Sequence, residues 1–186
     1  MATTAMNSSA GLPARHQAHD PSLPYIPCEP TDVTFFDTAQ VKNVYSAELP
    51  VSPAVLFDIF EDPASWPKWA PGIGKVVWTS PKPYDVGTTR TVIFWGGMEV
   101  YEDFVKWERG KEMAFLFSGT TQEVFGRFGE HYRVEDLGGD RCRLTWTVCY
   151  EPVGTFAKIH GWVAGVLKFN LSTYMWWLKR YCRRHP

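Results

Sequence analysis

The feature that most constrains the fold is a long stretch without proline near the C-terminus, from Thr155 to Cys182. Pro152 and Gly154 end whatever precedes it, and Thr155 is a suitable N-cap, so the pattern predicts one continuous helix. At 1.5 Å per residue that helix is roughly 42 Å long, which exceeds the diameter of a small domain. A helix so long and so apolar requires a large surface to pack against, and we expect the rest of the chain to supply it.

The side chains of this predicted helix leave only a narrow polar stripe, formed by Gly161, Gly165, Lys168, Ser172 and Lys179. We expect the centre of the apolar face at Ile159, Trp162, Val163, Val166, Thr173, Trp177 and Tyr181. Because the apolar arc exceeds half of the circumference, one flank must be covered by other helices, a second subunit or a lipid surface. We favour the helices predicted within residues 52–69, although Trp176 and Trp177 beside the terminal basic residues also suit a peripheral membrane contact.

Aromatic residues make up 16% of the chain, with nine tryptophans and twelve phenylalanines, so large rings either fill a thick core or line a cavity for an apolar ligand. A net charge of −1 gives no argument for nucleic-acid binding. The four cysteines have no zinc-like spacing, and no cofactor motif is present, so we expect neither a metal nor a cofactor. Reduced thiols and an N-terminus without an apolar signal segment predict a cytoplasmic protein.

The order of predicted elements indicates an α+β fold. Residues 1–30 are polar and proline-rich, which predicts a disordered tail, and residues 31–186 form the domain. A first strand is expected over Val33–Leu49 and two short helices over residues 52–69. The pattern then alternates with period two between turn sequences, which predicts an antiparallel meander of strands at Lys75–Ser80, Thr88–Trp95, Met98–Trp107, Met113–Gly119, Glu123–Asp136 and Arg141–Glu151.

Four motifs in this order resemble the START/Bet v 1-like (SRPBCC) superfamily, in the branch named for polyketide cyclase/dehydrase and lipid transport. They are Val51–Ile73, Val86–Arg90, the EDF strand around Glu102, and Asp140–Tyr150. The likeness spans about Val41 to Tyr181 and implies a helix-grip fold, in which a curved seven-stranded antiparallel sheet wraps around the long C-terminal helix. Members of this superfamily bind lipids, sterols, polyketides or other hydrophobic molecules, and a minority catalyse cyclisation or dehydration.

Strand parity predicts which residues face the cavity between sheet and helix. On three of the strands and on the helix, one polar residue lies among the apolar inward-facing positions. These are Arg90, Glu102 and Glu130 on the strands and Asn170 on the helix. The resulting ligand-binding prediction comprises Arg90, Phe94, Glu102, Phe115, Phe117, Glu130, Tyr132, Trp146, Trp162, Val166, Asn170 and Tyr174. His131 is expected on the solvated outer face, and His160 at the edge of the helix's apolar face.

The buried polar residues allow three interpretations. Arg90 and Glu102, on adjacent strands, can pair for structural reasons alone, with Asn170 satisfying a neighbour. The same groups can anchor the polar end of an apolar ligand carried or sensed by the protein. Glu102 or Glu130 can instead act as the acid/base of a polyketide cyclase or dehydratase. The hydrophobic carrier or sensor is our first hypothesis, and the enzyme is the alternative.

Overall fold

The computed structural model describes residues 20–185, so the first nineteen residues of the predicted tail lie outside the described part of the chain. The elements are β1 Ile26–Pro27, α1 Phe35–Thr38, β2 Val41–Leu49, α2 Pro53–Glu61, α3 Trp66–Trp69, β3 Ile73–Trp78, β4 Thr89–Phe94, β5 Glu99–Glu108, β6 Glu112–Thr120, β7 Phe125–Asp136, β8 Cys142–Pro152 and α4 Gly154–Cys182.

Seven strands form one antiparallel sheet in the order β2-β8-β7-β6-β5-β4-β3. β3 to β8 are successive hairpin neighbours, and β2 closes the sheet by pairing with β8 from Val41↔Tyr150 to Leu49↔Cys142. Bulges interrupt the pairing of β5 with β6, and bulges of this kind bend a sheet. The predicted helix-grip architecture, with a curved sheet, a long terminal helix and two short helices after the first long strand, is confirmed.

The segment before the domain joins the sheet at one place. β6 pairs with β7 only as far as Leu116↔Gly129, and beyond that point Ile26 and Pro27 pair with the free edge of β6. The backbone amide of Glu29 then donates to Gly126 O on β7 at 2.8 Å. The chain therefore fills the gap between two diverging strands, and the last residues of the predicted tail are part of the sheet.

The first strand is shorter than the sequence pattern predicts. It begins at Val41 instead of Val33, because Phe35–Thr38 forms one helical turn on the outer face of the sheet. Phe35 and Phe36 are buried there. The alternating apolar residues that suggested a strand are thus used to cover the sheet from outside.

The two short helices, α2 and α3, close one end of the space enclosed by the concave face of the sheet. Ser52 caps α2 by accepting a hydrogen bond from Val55 N at 3.3 Å, and Pro53 occupies the first helical position. Four apolar residues of α2 are buried, namely Leu56, Phe57, Ile59 and Phe60. Phe60 packs against Trp66 and Trp69 of α3, whose rings lie 4.7 Å apart.

α4 is buried only in its last third, at Met175, Leu178 and Cys182. The predicted centre of its apolar face is wrong. Trp162 and Val166 point away from the sheet and are exposed, whereas the flank with Leu167, Leu171 and Leu178 faces it. Because the apolar arc covers more than half of the helix, hydropathy alone does not choose between its two sides.

Among residues 20–185, no helix combines the length and the hydropathy needed to cross a bilayer.

The orientation of α4 predicts different costs for two truncations on the same helix. Leu178→Ala removes a fully buried side chain and should lower the free energy of unfolding by about 2–5 kcal/mol. Phe169→Ala removes a larger side chain that is 70% exposed, and should change it by less than about 0.5 kcal/mol. Urea unfolding followed by circular dichroism measures both. Equal losses for the two variants would contradict this orientation.

Candidate functional site

A cavity of about 200 Å³ lies between the concave face of the sheet, α3 and the inner side of α4. Its wall is almost entirely apolar and aromatic. Nine of the twelve residues predicted to contact a ligand line it: Arg90, Phe94, Glu102, Phe115, Phe117, Glu130, Tyr132, Trp146 and Tyr174. The inward-facing positions predicted on β4 to β8 therefore agree with the structure. The role of these residues in ligand binding stays a prediction.

The other three predicted residues are elsewhere. Trp162, Val166 and Asn170 lie on the exposed side of α4, so Asn170 satisfies no buried neighbour. Leu167 and Leu171 take their place in the cavity wall. Their i, i+4 spacing on one flank of the helix was visible in the sequence, but nothing there ranked that flank above the other.

Sequence reasoning also missed the contribution of α3. Trp66 and Trp69 line the cavity, and Ala70 and Ile73 continue the wall into β3. The Trp-x-x-Trp spacing places both rings on one face of a short helix. The sequence shows this spacing, but it does not show the length of the helix or its position over the cavity.

Arg90 and Glu102 form the predicted ion pair inside the cavity wall. They are directly opposite each other on β4 and β5, and Arg90 Nε donates to a carboxylate oxygen of Glu102. The guanidinium carbon lies 4.2 Å from the ring centroid of Trp66 and 4.9 Å from that of Phe115. Aromatic faces on either side stabilise a cation that is only 1% exposed. The pairing of these two residues is confirmed.

Two hydrogen-bond donors beside the cavity lack a partner among the described residues. These are Arg90 Nη1 and Trp69 Nε1, both buried. A buried donor without a partner loses its hydration without compensation, which is costly. Any oxygen atom that reached either nitrogen would therefore be bound favourably.

Glu130 is the second carboxyl of the cavity wall. Its Oε2 accepts hydrogen bonds from Tyr132 Oη and from Trp146 Nε1, the latter at 2.9 Å. Its second oxygen, Oε1, has no hydrogen-bond partner within residues 20–185. Burial raises the pKa of Glu130 to about 7, and the nearby charge of Glu102 also raises it, whereas the two hydrogen bonds and Arg90 act against the increase. Near neutral pH the carboxyl is therefore present in both protonation states.

The tyrosines around Glu130 remain protonated. Burial raises the pKa of Tyr132 well above its usual value, and the Glu130 carboxylate raises it further. Burial likewise raises the pKa of Tyr174 to about 12, and Tyr174 Oη donates to Pro71 O, which ties α4 to the end of α3. Glu130 is consequently the group in this cluster that can exchange a proton near neutral pH.

The two candidate histidines have different surroundings. His131 lies on the outer face of the sheet, as predicted, but it is buried under Phe36 and bonds Glu112 through Nε2 at 2.7 Å, so the expectation of a solvated residue is wrong. Burial lowers the pKa of His131, while Glu112 opposes this change. His160 is half-buried at the edge of α4, with its Nε2 3.0 Å from Oη of the cavity residue Tyr150. Within the described residues, no three acidic, histidine or cysteine side chains are grouped closely enough to hold a metal ion.

Comparison with known proteins gives a family match and a set of structural relatives. The family model described as "Polyketide cyclase / dehydrase and lipid transport" matches residues 40–173. Uncharacterized proteins of Mycobacterium tuberculosis and Mycobacterium bovis are 37% identical over 155 residues, which is 83% of this chain and 92% of each relative.

Solved structures share the fold at low sequence identity. The Zhui aromatase/cyclase from Streptomyces has a TM-score of 0.63 at 10% identity, over 77% of this chain and 94% of that one. A START superfamily protein from Mycobacterium smegmatis has a TM-score of 0.53 at 14% identity, over 74% of this chain and 98% of that one. At this level of identity the likeness extends to the fold alone.

The buried ion pair predicts a large and asymmetric effect on stability. Arg90→Met removes the guanidinium from a buried carboxylate and should lower the free energy of unfolding by about 3–5 kcal/mol. The double variant Arg90→Met/Glu102→Leu should be more stable than the single variant, because it also removes the carboxylate. Arg143→Met, which breaks exposed pairs with Glu48 and Glu135, is the control and should cost far less than Arg90→Met, because solvent screens exposed pairs. Chemical unfolding that gives equal costs for Arg90→Met and Arg143→Met would contradict the prediction.

The raised pKa of Glu130 predicts a dependence of stability on pH. A carboxyl whose pKa rises from its ordinary 4.5 to about 7 on folding favours the folded state at low pH, and this advantage is lost as pH rises through about 7. Glu130→Gln does not carry this loss, so its unfolding free energy relative to wild type should increase by up to about 3 kcal/mol between low and high pH. Glu135→Gln, at an exposed position on the same strand, is the control for the change from glutamate to glutamine in the same denaturant titrations. A difference between Glu130→Gln and wild type that stays constant with pH would show that the carboxyl is not perturbed.

Proposed function

Because the chain belongs to the polyketide cyclase/dehydrase and lipid-transport family, we propose that it binds a small, largely aromatic molecule in the cavity as a carrier or sensor. One observation carries the proposal. An aromatic-lined cavity of about 200 Å³ contains the carboxyl of Glu130, and one oxygen of that carboxyl has no hydrogen-bond partner among the described residues. A few polar groups in an otherwise apolar wall are typical of sites that orient a small ligand.

The size of the cavity restricts the ligand. Sites for drug-sized molecules are usually about 300–1,000 Å³, whereas an apolar cavity of about 150 Å³ is enough for benzene. A cavity of about 200 Å³ fits one or two fused rings in this conformation. A sterol or a phospholipid acyl chain would require α4 to move outward. The described arrangement therefore favours an aromatic or short polyketide-like molecule over a large lipid.

The polar groups restrict the chemistry of the ligand further. Protonated Glu130 donates a hydrogen bond to a carbonyl, and ionised Glu130 accepts one from a phenol. Arg90 Nη1 and Trp69 Nε1, which lack partners among the described residues, are two further donors for a ligand oxygen. A ligand amine would leave both donors unused, and of the two carboxyls in the wall only ionised Glu130 would accept from it, because Glu102 is paired with Arg90. We therefore propose a ligand that carries a carbonyl or a hydroxyl group.

An enzyme that cyclises or dehydrates such a molecule is the second candidate. The pKa of Glu130, about 7, suits a group that both donates and accepts a proton near neutral pH. Glu102 suits this role less well than the sequence suggested, because it is paired with the guanidinium of Arg90. The proposal includes a cytoplasmic location, which the four buried, unpaired cysteines support. The proposed function requires no cofactor.

Binding of paired probes tests the proposal. We expect 2-naphthol to bind wild type more tightly than naphthalene, because only 2-naphthol bonds Glu130. Glu130→Leu should weaken 2-naphthol binding about tenfold, the loss of roughly one hydrogen bond, and leave naphthalene unchanged. Phe117→Ala should change both affinities, whereas Phe36→Ala, which truncates a buried ring on the other face of the sheet, should change neither. Titration calorimetry measures these affinities, and an extract of the purified protein analysed by mass spectrometry identifies any retained ligand.

Glu130→Gln separates the two candidate functions. The amide still forms hydrogen bonds but does not transfer protons, so a carrier keeps its affinity within about threefold. An enzyme that uses Glu130 loses turnover of a polyketide-like substrate while its affinity is preserved. Failure of both probes to bind, together with an empty extract, would refute the binding proposal and indicate that the aromatic residues simply fill a core.

A further inference from the structure

α4 carries a second apolar surface on the side opposite the cavity. Its members recur every three or four residues, so they follow one line along the helix: Ile159, Trp162, Val166, Phe169, Thr173 and Trp176. We call these six residues the outer stripe. Trp162 is 90% exposed and Phe169 is 70% exposed, and Trp177 extends the stripe at its C-terminal end.

The exposed area of the outer stripe is large for a protein of this size. Its three aromatic residues alone expose roughly 450 Å², given that a buried aromatic side chain covers about 150–250 Å². The largest apolar patch on a typical monomer is about 300–600 Å² and is often functional. Ile159 and Val166 add to this area and are continuous with it. A continuous apolar patch of this size often marks an interaction surface.

The charges on α4 indicate the chemistry of that partner. From residue 154 to residue 184 the chain has no acidic residue and six basic ones, namely Lys158, Lys168, Lys179, Arg180, Arg183 and Arg184. None of the six forms a salt bridge with another described residue. Nearby carboxylates belong to neighbouring elements, among them Glu48 on β2 and Asp62 after α2. Because the whole chain has a net charge of −1, positive charge is concentrated on this helix.

We propose that the outer stripe docks onto an anionic phospholipid surface, with α4 lying parallel to the membrane plane. Tryptophan is enriched at membrane interfaces, and Trp162 and Trp176 lie near opposite ends of the stripe. Lysine and arginine beside an apolar face are typical of helices that bind anionic bilayers. Arg180 lies over the ring of Trp176 at 5.7 Å and continues the line of the stripe toward the terminal arginines.

The same features disfavour a second copy of this chain as the partner. Self-pairing helices usually have branched aliphatic residues along the seam and opposite charges beside it. Here the seam contains two tryptophans, and the helix has no acidic residue to pair with its lysines and arginines. In a parallel pair, Arg180 would face its own copy. None of these objections applies to an anionic membrane surface.

The position of the stripe relates membrane contact to the cavity. Val166 and Phe169 face outward on the same two turns from which Leu167 and Leu171 face the cavity. Between Gly154 and Tyr174 no residue of α4 is buried, so this part of the helix is held less firmly than its C-terminal third. Docking therefore brings the wall of the cavity against lipid, whatever molecule the cavity holds.

Vesicle co-sedimentation of the full-length protein tests the proposal. We expect wild type to bind vesicles of phosphatidylcholine mixed with phosphatidylglycerol at low salt, to be released at about 0.5 M NaCl, and to ignore phosphatidylcholine alone. Trp162→Ser/Phe169→Ser should reduce the partition coefficient at least tenfold. Trp95→Ser, which removes a tryptophan that is 71% exposed in the β4–β5 turn, is the matched control and should have no effect.

A second pair of variants tests the charge. Arg183→Gln/Arg184→Gln should reduce binding at low salt at least fivefold, and Arg133→Gln/Arg141→Gln, which changes two exposed arginines outside α4, should not. Unchanged thermal unfolding verifies that each variant is folded. Absence of vesicle binding, or equal losses in a stripe variant and its control, would overturn the proposal. A dimer in sedimentation velocity that Trp162→Ser/Phe169→Ser dissociates, without vesicle binding, would also overturn it and assign the stripe to self-association.

Discussion

The cavity depends on how α4 is attached. Met175, Leu178 and Cys182 are buried against the sheet and the short helices, and Tyr174 bonds the backbone at Pro71. Upstream of these contacts the helix passes over the concave sheet without a buried residue of its own. Firm packing at one end and looser contact at the other leave space between helix and sheet, and that space is the candidate site.

Within this space, the guanidinium of Arg90 and the carboxyl of Glu130 are held in different ways. The guanidinium of Arg90 is held by Glu102 on one side and by aromatic faces on others, so its position is fixed before any ligand arrives. Glu130 is held only through one oxygen, and burial raises its pKa to about 7. A fixed cation and a nearby carboxyl with variable protonation are compatible with oriented binding and with proton transfer. The two proposed functions differ in which property of Glu130 is used.

The two apolar sides of α4 have different proposed roles. Its inner side completes the cavity with Leu167 and Leu171, while its outer side presents Trp162 and Phe169 to the surroundings. A helix with only one function would be expected to have a polar outer side. The wide apolar arc that made its orientation ambiguous in the sequence is, in the folded protein, two separate surfaces.

The sequence alone determined the fold class, the strand order along the chain and the residues that face inward on β4 to β8, because period-two alternation and turn residues are local properties of the chain. It also indicated that Arg90 can pair with Glu102, since both lie on neighbouring hairpin strands, but the structure supplied the register that places them opposite each other. Tertiary structure decided the rest. It chose which side of α4 meets the sheet, placed Trp66 and Trp69 over the cavity, and covered His131 with the helical turn at Phe36. These outcomes depend on contacts between segments distant in sequence, which no local pattern encodes.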